Sequence, residues 1–555
     1  MSGFKVNAFY LVAFLLTLTI YGLLTSGTPF FSSASIIYLP PDRPYFVDFT
    51  EELGLHVEIA KDSEVVWVPG GGTCWADYDR DGDLDVYIVG WNLPGRLFRN
   101  ENFSRFTDVT WEAGLMTDKL LSRKGMSCTW ADYDNSGFPS LLLTFYDSLT
   151  DGVILLKNLG NGSFTEVTRE AGLSESRGKY VAGVAWGDVN RDGCLDLYVG
   201  YYINLRAVRQ GSIFGQGAGN QLFINNCDGS FREAAEEYGV VDYGYTFQPV
   251  FIDYDSDGFP DIFLANDFGL TRLYRNEGGR RFTPLSSLTG VEKLGQWMGV
   301  ALGDLDADGY WEILVTNYDD NLLLKYTGDF FVDVAARLRL TDPYQVGWGA
   351  CIVDIDNSGV LDVIMANGKI GVRTDRPINQ INKLFYNIGQ FYYDATWQGG
   401  LARHGNARGL TCVDFDIDGG VDLLFYDLMG YPIFYRNVIS NKTENRWVQV
   451  RLEGSTWLCG TCTYRSSKEA VGAVVEIKAA GKIFRQVVVK GSSFLSDNGP
   501  WLYFGLGRAN RIERLTVYWP SGIIEEYRDL PVNSVVSIVE QGGCSVSGGL
   551  IDHEE

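Results

Sequence analysis

Seven short acidic segments hold the residues of this chain best suited to chemistry. The first reads Asp77-Tyr78-Asp79-Arg80-Asp81-Gly82-Asp83-Leu84-Asp85. Carboxylates stand at positions one, three, five and nine, and glycine stands at six. Alternate residues of a tight loop aim their oxygens at one point, and Gly82 permits the turn that closes it. Calcium takes six to eight oxygens, so the position-seven carbonyl and a bidentate last acid would complete a shell. One such loop could equally be an acidic surface turn, but this pattern recurs.

The second copy is Asp132, Asp134, Ser136 and Gly137, ending on Ser140 in place of an acid. The third is Asp188, Asn190, Asp192, Gly193 and Asp196; the fourth Asp253, Asp255, Asp257, Gly258 and Asp261. The fifth is Asp304, Asp306, Asp308, Gly309 and Glu312; the sixth Asp354, Asp356, Ser358, Gly359 and Asp362. The seventh is Asp414, Asp416, Asp418, Gly419 and Asp422. First aspartates are spaced by 55, 56, 65, 51, 50 and 60 residues, the signature of a repeat architecture. The expectation is up to seven structural calcium ions, with the 132–140 loop the weakest site. A catalytic ion needs an open position and a nearby acid or base, which the loops do not visibly supply, so the metal reads as structural and the protein as no enzyme.

The elements around the loops follow one grammar. A short apolar strand such as Val181–Trp186 precedes each loop, and another such as Leu84–Val89 follows it. A third has the flavour of Leu97–Asn100 or Leu273–Asn276. The fourth is a Phe-x-Asp-Val-Thr phrase, as in Phe106–Thr110 and Phe164–Thr168. Four strands per unit, seven times over, predict an all-β chain with a seven-bladed β-propeller across 46–439. The seventh unit lacks its fourth strand, while an orphan phrase stands at Phe46–Thr50, so the N-terminal strand 46–50 is expected to close the last blade. Inserts at 201–219 and 368–382 lengthen two units and could carry recognition or be merely tolerated.

From Ser440 the acidic loops stop and alternating strands begin, which predicts a small β-sandwich or barrel over 440–541 and a loose tail over 542–555. Residues 1–35 combine Lys5, an apolar run from Ala8 to Leu24 and small polar residues, an export signal or an uncleaved N-terminal anchor. Either places the protein outside the cell, secreted or membrane-anchored.

Composition narrows the function. A net charge of −24 excludes a basic nucleic-acid footprint. Three histidines, His56, His404 and His553, leave little room for zinc or triad chemistry. The acids at positions one, three, five and nine number 24, the size of the whole net charge. Cys74, Cys128, Cys351 and Cys412, each just ahead of a loop, read as small core residues, while Cys459 and Cys462 read as a short-range disulfide.

The Asp-x-Asp-x-Asp-Gly-x-x-Asp loop between strands resembles the FG-GAP/VCBS repeat of integrin α-subunit propellers. Asn445-Arg446-Trp447, Lys468–Ala473, Leu502–Gly507 and Val517–Gly522 are similar to the ASPIC/UnbV domain. Repeats followed by that module resemble the cartilage acidic protein family and its microbial relatives. Relatives often carry Asn-Gly-His where this chain has Asn367-Gly368-Lys369, so no role of that histidine transfers. The resemblance implies a secreted or cell-surface calcium-binding propeller acting in adhesion or as a scaffold, with an extracellular protein or glycan partner. The alternative is an extracellular carbohydrate-processing enzyme working on the propeller face or in its channel.

Overall fold

A computed structural model describes residues 45–60, 70–121, 123–146, 152–173, 179–204, 217–285, 287–369, 380–428, 430–456 and 463–548. The export or anchor segment, Cys459 and Cys462 lie outside the described residues. No helix among the described residues is long and apolar enough to cross a membrane.

Seven four-stranded antiparallel meanders follow one another around a ring. In blade one the strands are Thr73–Ala76, Asp85–Ile88, Arg96–Asn100 and Phe106–Asp108. Each blade's first strand lies innermost and touches the innermost strands of its two neighbours, including first against last. Small residues make this crowding possible. A Cβ on Gly349 would strike the backbone of Leu410, and one on Gly409 would strike Gly72. Blade seven comprises Ala407–Val413, Asp422–Asp427 and Ile433–Asn437, and its outer strand is Phe46–Asp48, with Phe46 opposite Asn437. The chain's two ends are thereby stitched by a ladder rather than by packing alone.

The cysteine reading needs correction. Cys74 is bonded to Cys128 across blades one and two, and Cys351 to Cys412 across blades six and seven. Residues 54 and 61 positions apart meet because adjacent innermost strands run side by side at Cα separations of 5.9 and 6.5 Å. A third bridge, Cys194–Cys227, ties loop three to the turn beyond its blade's third strand. Between blades seven and one, Thr73 and Thr411 hydroxyls meet at 2.9 Å.

The C-terminal domain is a sandwich of two four-stranded sheets. One contains Arg446–Glu453, Leu502–Gly507, Ser534–Val539 and Gly543–Gly548; the other contains Val474–Ala479, Lys482–Val487, Ile512–Tyr518 and Ile524–Leu530. Val448, Val450, Val475, Ile477, Leu515 and Val536 are buried in its core. The segment expected as a loose tail begins instead with the edge strand Gly543–Gly548, paired to Ser534–Val539.

Candidate functional site: the acidic-loop face and the channel

All seven acidic loops share one backbone conformation. Glycine at position six has φ between +78° and +101°, a region closed to most side chains. Position four is also left-handed in every loop: Arg80, Asn135, Arg191, Ser256, Ala307, Asn357 and Ile417 have φ of +53° to +65°. No residue type marks that position, so the sequence concealed it. The first aspartate holds the turn by accepting the position-six N–H, as Asp77 does from Gly82 at 3.2 Å and Asp253 from Gly258 at 2.9 Å.

Position nine has a second task. Asp85 accepts N–H bonds from Tyr78 and from Asn100, and Asp261 does so from Tyr254 and Asn276. Its carboxylate thus ties the loop to the blade's third strand. In loop two Ser140 does part of this work, accepting the Asn158 N–H at 3.1 Å.

The asparagine ending most third strands was legible only as a pattern, and its function is now plain. Asn276 Nδ2 donates to the Pro260 carbonyl in its own blade and to Val189, position two of the preceding loop, at 2.9 Å. Asn158, Asn225 and Asn437 reach back to Tyr78, Tyr133 and Ile355 in the same way. Each such asparagine staples one blade to the loop before it.

Carboxylate oxygens of Asp77, Asp79 and Asp85 lie within 4.8 Å of one another, as do those of Asp253, Asp255 and Asp261, of Asp304, Asp306 and Asp308, and of Asp354, Asp356 and Asp362. Asp192 lies as close to Cys194 and Cys227, but those sulfurs are spent in a disulfide. Several buried oxygens have no partner: Oδ1 of Asp77, Asp79 and Asp416, and Oδ2 of Asp422. Asp416 and Asp422 are 6% and 1% exposed, so water does not satisfy them. Unpaired buried carboxylate oxygens are costly. Burial, then Asp81 and Asp79, push Asp77 up to about 6; burial also takes Asp188 to about 8 and Asp261 to about 9. An all-oxygen donor set of this density suits a hard divalent cation.

The loops differ in how far the protein neutralises them itself. The residue before the third-strand asparagine, or its equivalent, decides this. Lys325 sits on Asp306, Asp308 and Glu312 at 2.6, 2.5 and 3.2 Å. Arg275 sits on Asp255 and Asp257, and Arg436 on Asp416 and Asp418. In loop two, burial would raise Asp134, but the bond from Lys157 at 2.8 Å turns the net shift downward. Arg99 turns to Glu101 instead, and in blade three the position is Ile224.

The loop face is covered by the sandwich. Arg451 Nη1 donates to the Gly82 carbonyl at 3.0 Å. The Asp132 N–H donates to Glu469 at 2.7 Å, and the Lys468 N–H donates to Asn135 Oδ1 at 3.0 Å. N–H groups of Arg465 and Gly507 donate to the position-four carbonyls of Arg191 and Asn357. Over loops five and seven, Arg485 and Trp447 fill the space where a Cβ on Gly309 or Gly419 would go.

From the sandwich the segment 488–501 enters the central channel and bonds to every blade. Asp497 exchanges backbone bonds with Thr73 and Trp75 of blade one and accepts from Thr129 of blade two at 2.6 Å. The Trp186 N–H donates to the Lys490 carbonyl, and the Leu495 N–H donates to Gln248 Oε1. Val300 exchanges two 2.7 Å bonds with Ser493, whose hydroxyl accepts from the Ala350 N–H. The Cys412 N–H donates to Asn498 Oδ1. Phe494 and Leu495 are buried on the plug, and Lys490, fully buried, pairs with Glu469 at 2.9 Å. A channel-based active site, one form of the enzyme alternative, therefore finds the channel filled.

The fold and its loops define the class: a propeller of FG-GAP-like repeats carrying an ASPIC and UnbV domain. The FG-GAP-like repeat model matches residues 77–143, 141–199 and 253–315, and the ASPIC and UnbV model matches 462–545. Within that class the chain is similar to cartilage acidic protein 1. It is 24% identical to the Mus musculus protein over 84% of this chain and 73% of that one. To the Homo sapiens protein it is 24% identical over 84% and 72%. Among solved structures, BBS1N in complex with ARL6DN covers 71% of this chain and 98% of its own at 10% identity and TM-score 0.41. YCF48 bound to D1 peptide covers 74% and 99% at 9% identity and TM-score 0.42. These two similarities are too slight to add to the argument.

Proposed function

We propose that this chain is an exported scaffold or adhesion protein whose ring is braced by calcium in the acidic loops. The observation that carries the reading is the set of buried, unpartnered carboxylate oxygens, above all Asp416 Oδ1 and Asp422 Oδ2. Three disulfides among the described residues accord with an oxidising compartment. Millimolar calcium, which such sites need if weak, is found outside cells. A folded-state ligand at a hundred times its Kd stabilises by about 2.7 kcal/mol per site. Chelation of the purified chain should therefore lower its melting temperature by several degrees, reversibly on adding calcium and less fully with magnesium. An unchanged melting temperature rejects the calcium reading.

The partner surface belongs to the opposite face. Each blade's first strand runs toward its acidic loop, so second-to-third-strand and inter-blade connections emerge at the other end. Trp111, Tyr243, Phe268, Leu294, Tyr344 and Trp397, all exposed, lie on those connections. Exposed aromatic and apolar side chains fit a protein or glycan partner. A second reading has one observation in its favour. A cleft of about 540 Å³ between blades three to five and the sandwich is lined by Phe251, Trp311 and Trp519 beside Asp253 and Asp257. Turnover of a glycan panel lost in Trp311→Ala would support an enzyme there.

A further inference from the structure

The acidic loops do two things at once: they gather carboxylates inward, and their outward-facing backbone is what the sandwich grips. The gripping contacts spare the candidate ligand oxygens: where they fall on Asp132 and Asp356 they use the backbone N–H and carbonyl, not the carboxylates. The others are to the position-four residues Asn135, Arg191 and Asn357 and to the Gly82 carbonyl; the Asp356 carbonyl accepts from Asn445 Nδ2 at 2.8 Å. Positions four and six are both left-handed in every loop. Neither conformation is intrinsically preferred, apart from glycine's indifference. The arrangement of donors and acceptors that the sandwich reads thus exists only while each loop is held closed. Repulsion among the carboxylates opposes closure, and a cation reverses that sign.

The plug is committed to the same state. Lys490 and Asp497 are buried charges whose partners, Glu469, Thr129 and the Trp130 N–H, are assembled where the sandwich meets the ring. Hydrogen bonds to the innermost strands hold the segment, with Phe494 packed edge-on against Phe247 and Trp348. Those strands are bulged in blades two to seven, and the bulges fall beside the plug contacts at Gln248, Val300 and Ala350. Lifting the sandwich from the loops would draw the plug out and leave Asp497 and the strand groups it binds unsatisfied, so docking and plugging form one step.

The geometry points to a cation-dependent latch: calcium in the acidic loops holds the C-terminal sandwich on the ring, and the sandwich holds the segment 488–501 in the channel. The inference rests on the calcium reading above and adds that the ions regulate access to the channel. Linkage makes it reciprocal, since whatever stabilises docking raises cation affinity by the same factor.

Hydrogen exchange on the full chain, calcium-loaded and chelated, tests it. Chelation should speed exchange about ten-fold or more across 488–501 while central strands such as Asp261–Asp267 stay protected. If chelation lowers the melting temperature but leaves plug exchange unchanged, the ions brace single loops and the latch is overturned with the calcium reading intact. If plug and central strands exchange together, the ring melts as one unit and the latch is overturned. If no calcium binds in equilibrium dialysis, the calcium reading fails and the latch with it. Reciprocity gives a second test in Leu495→Asp, which alters the plug and no ligand. It should weaken calcium binding about five-fold or more, and unchanged affinity with a displaced plug overturns the latch.

Discussion

Lys325 is the clearest case of a side chain competing with the ion its loop could hold. Its ammonium touches three of the four loop-five acids, so a cation must displace it or share the site. Lys325→Met should raise the calcium affinity of loop five about ten-fold, equivalent to about 1.4 kcal/mol, and destabilise the calcium-free protein. Titration calorimetry against the parent chain reads both signs, and equal affinities would remove the competition. Asn276 tests the inter-blade staple. Asn276→Ala leaves the buried Val189 carbonyl and the half-buried Pro260 carbonyl without these donors, a loss of about 2–4 kcal/mol, measured as a shift in denaturant midpoint at fixed calcium. The loop acids were legible because they recur at alternate positions around a glycine in every repeat. The asparagine was visible as a pattern without a purpose, because its partner lies in another blade.

At the scale of elements, ring closure is reinforced on both sides of the seam. The ladder Phe46–Asp48 with Ile433–Asn437 joins first strand to last blade, and the disulfides Cys74–Cys128 and Cys351–Cys412 clamp the flanking blade pairs. Each bridge closes a long loop of chain, for which constraint of the unfolded state is worth about 2–4 kcal/mol. Replacing Cys351 and Cys412 together by serine should lower the thermal midpoint while leaving the calcium content unchanged, because the bridge joins two innermost strands and neither cysteine is one of the loop acids. A lost metal content would show that seam and loops are coupled more tightly than the geometry implies. Reading these cysteines as core residues was reasonable from sequence, where each stands alone in an apolar strand. The strand repeat itself was readable, since its turns demand glycine and aspartate at set places.

The whole molecule divides its two faces between two tasks. The loop face and the channel are occupied from within, by the sandwich and its plug, and the opposite face is the one proposed for a partner. If so, Tyr243→Ser with Phe268→Ser should abolish capture of a partner without moving the melting temperature. The same pair of changes on a protein whose partner binds the loop face would have no effect. Sequence alone determined the repeat number, the acidic loops, the two-domain order and the missing seventh-unit strand. Those features are written in local residue types that tight turns and short apolar strands require. Only the tertiary structure decided which cysteines meet, that the sandwich sits on the acidic loops, and that residues 488–501 fill the channel. Those outcomes depend on contacts between residues as far apart as Thr73 and Asp497. Such contacts use backbone groups and common polar side chains, which leave no mark in the order of residues.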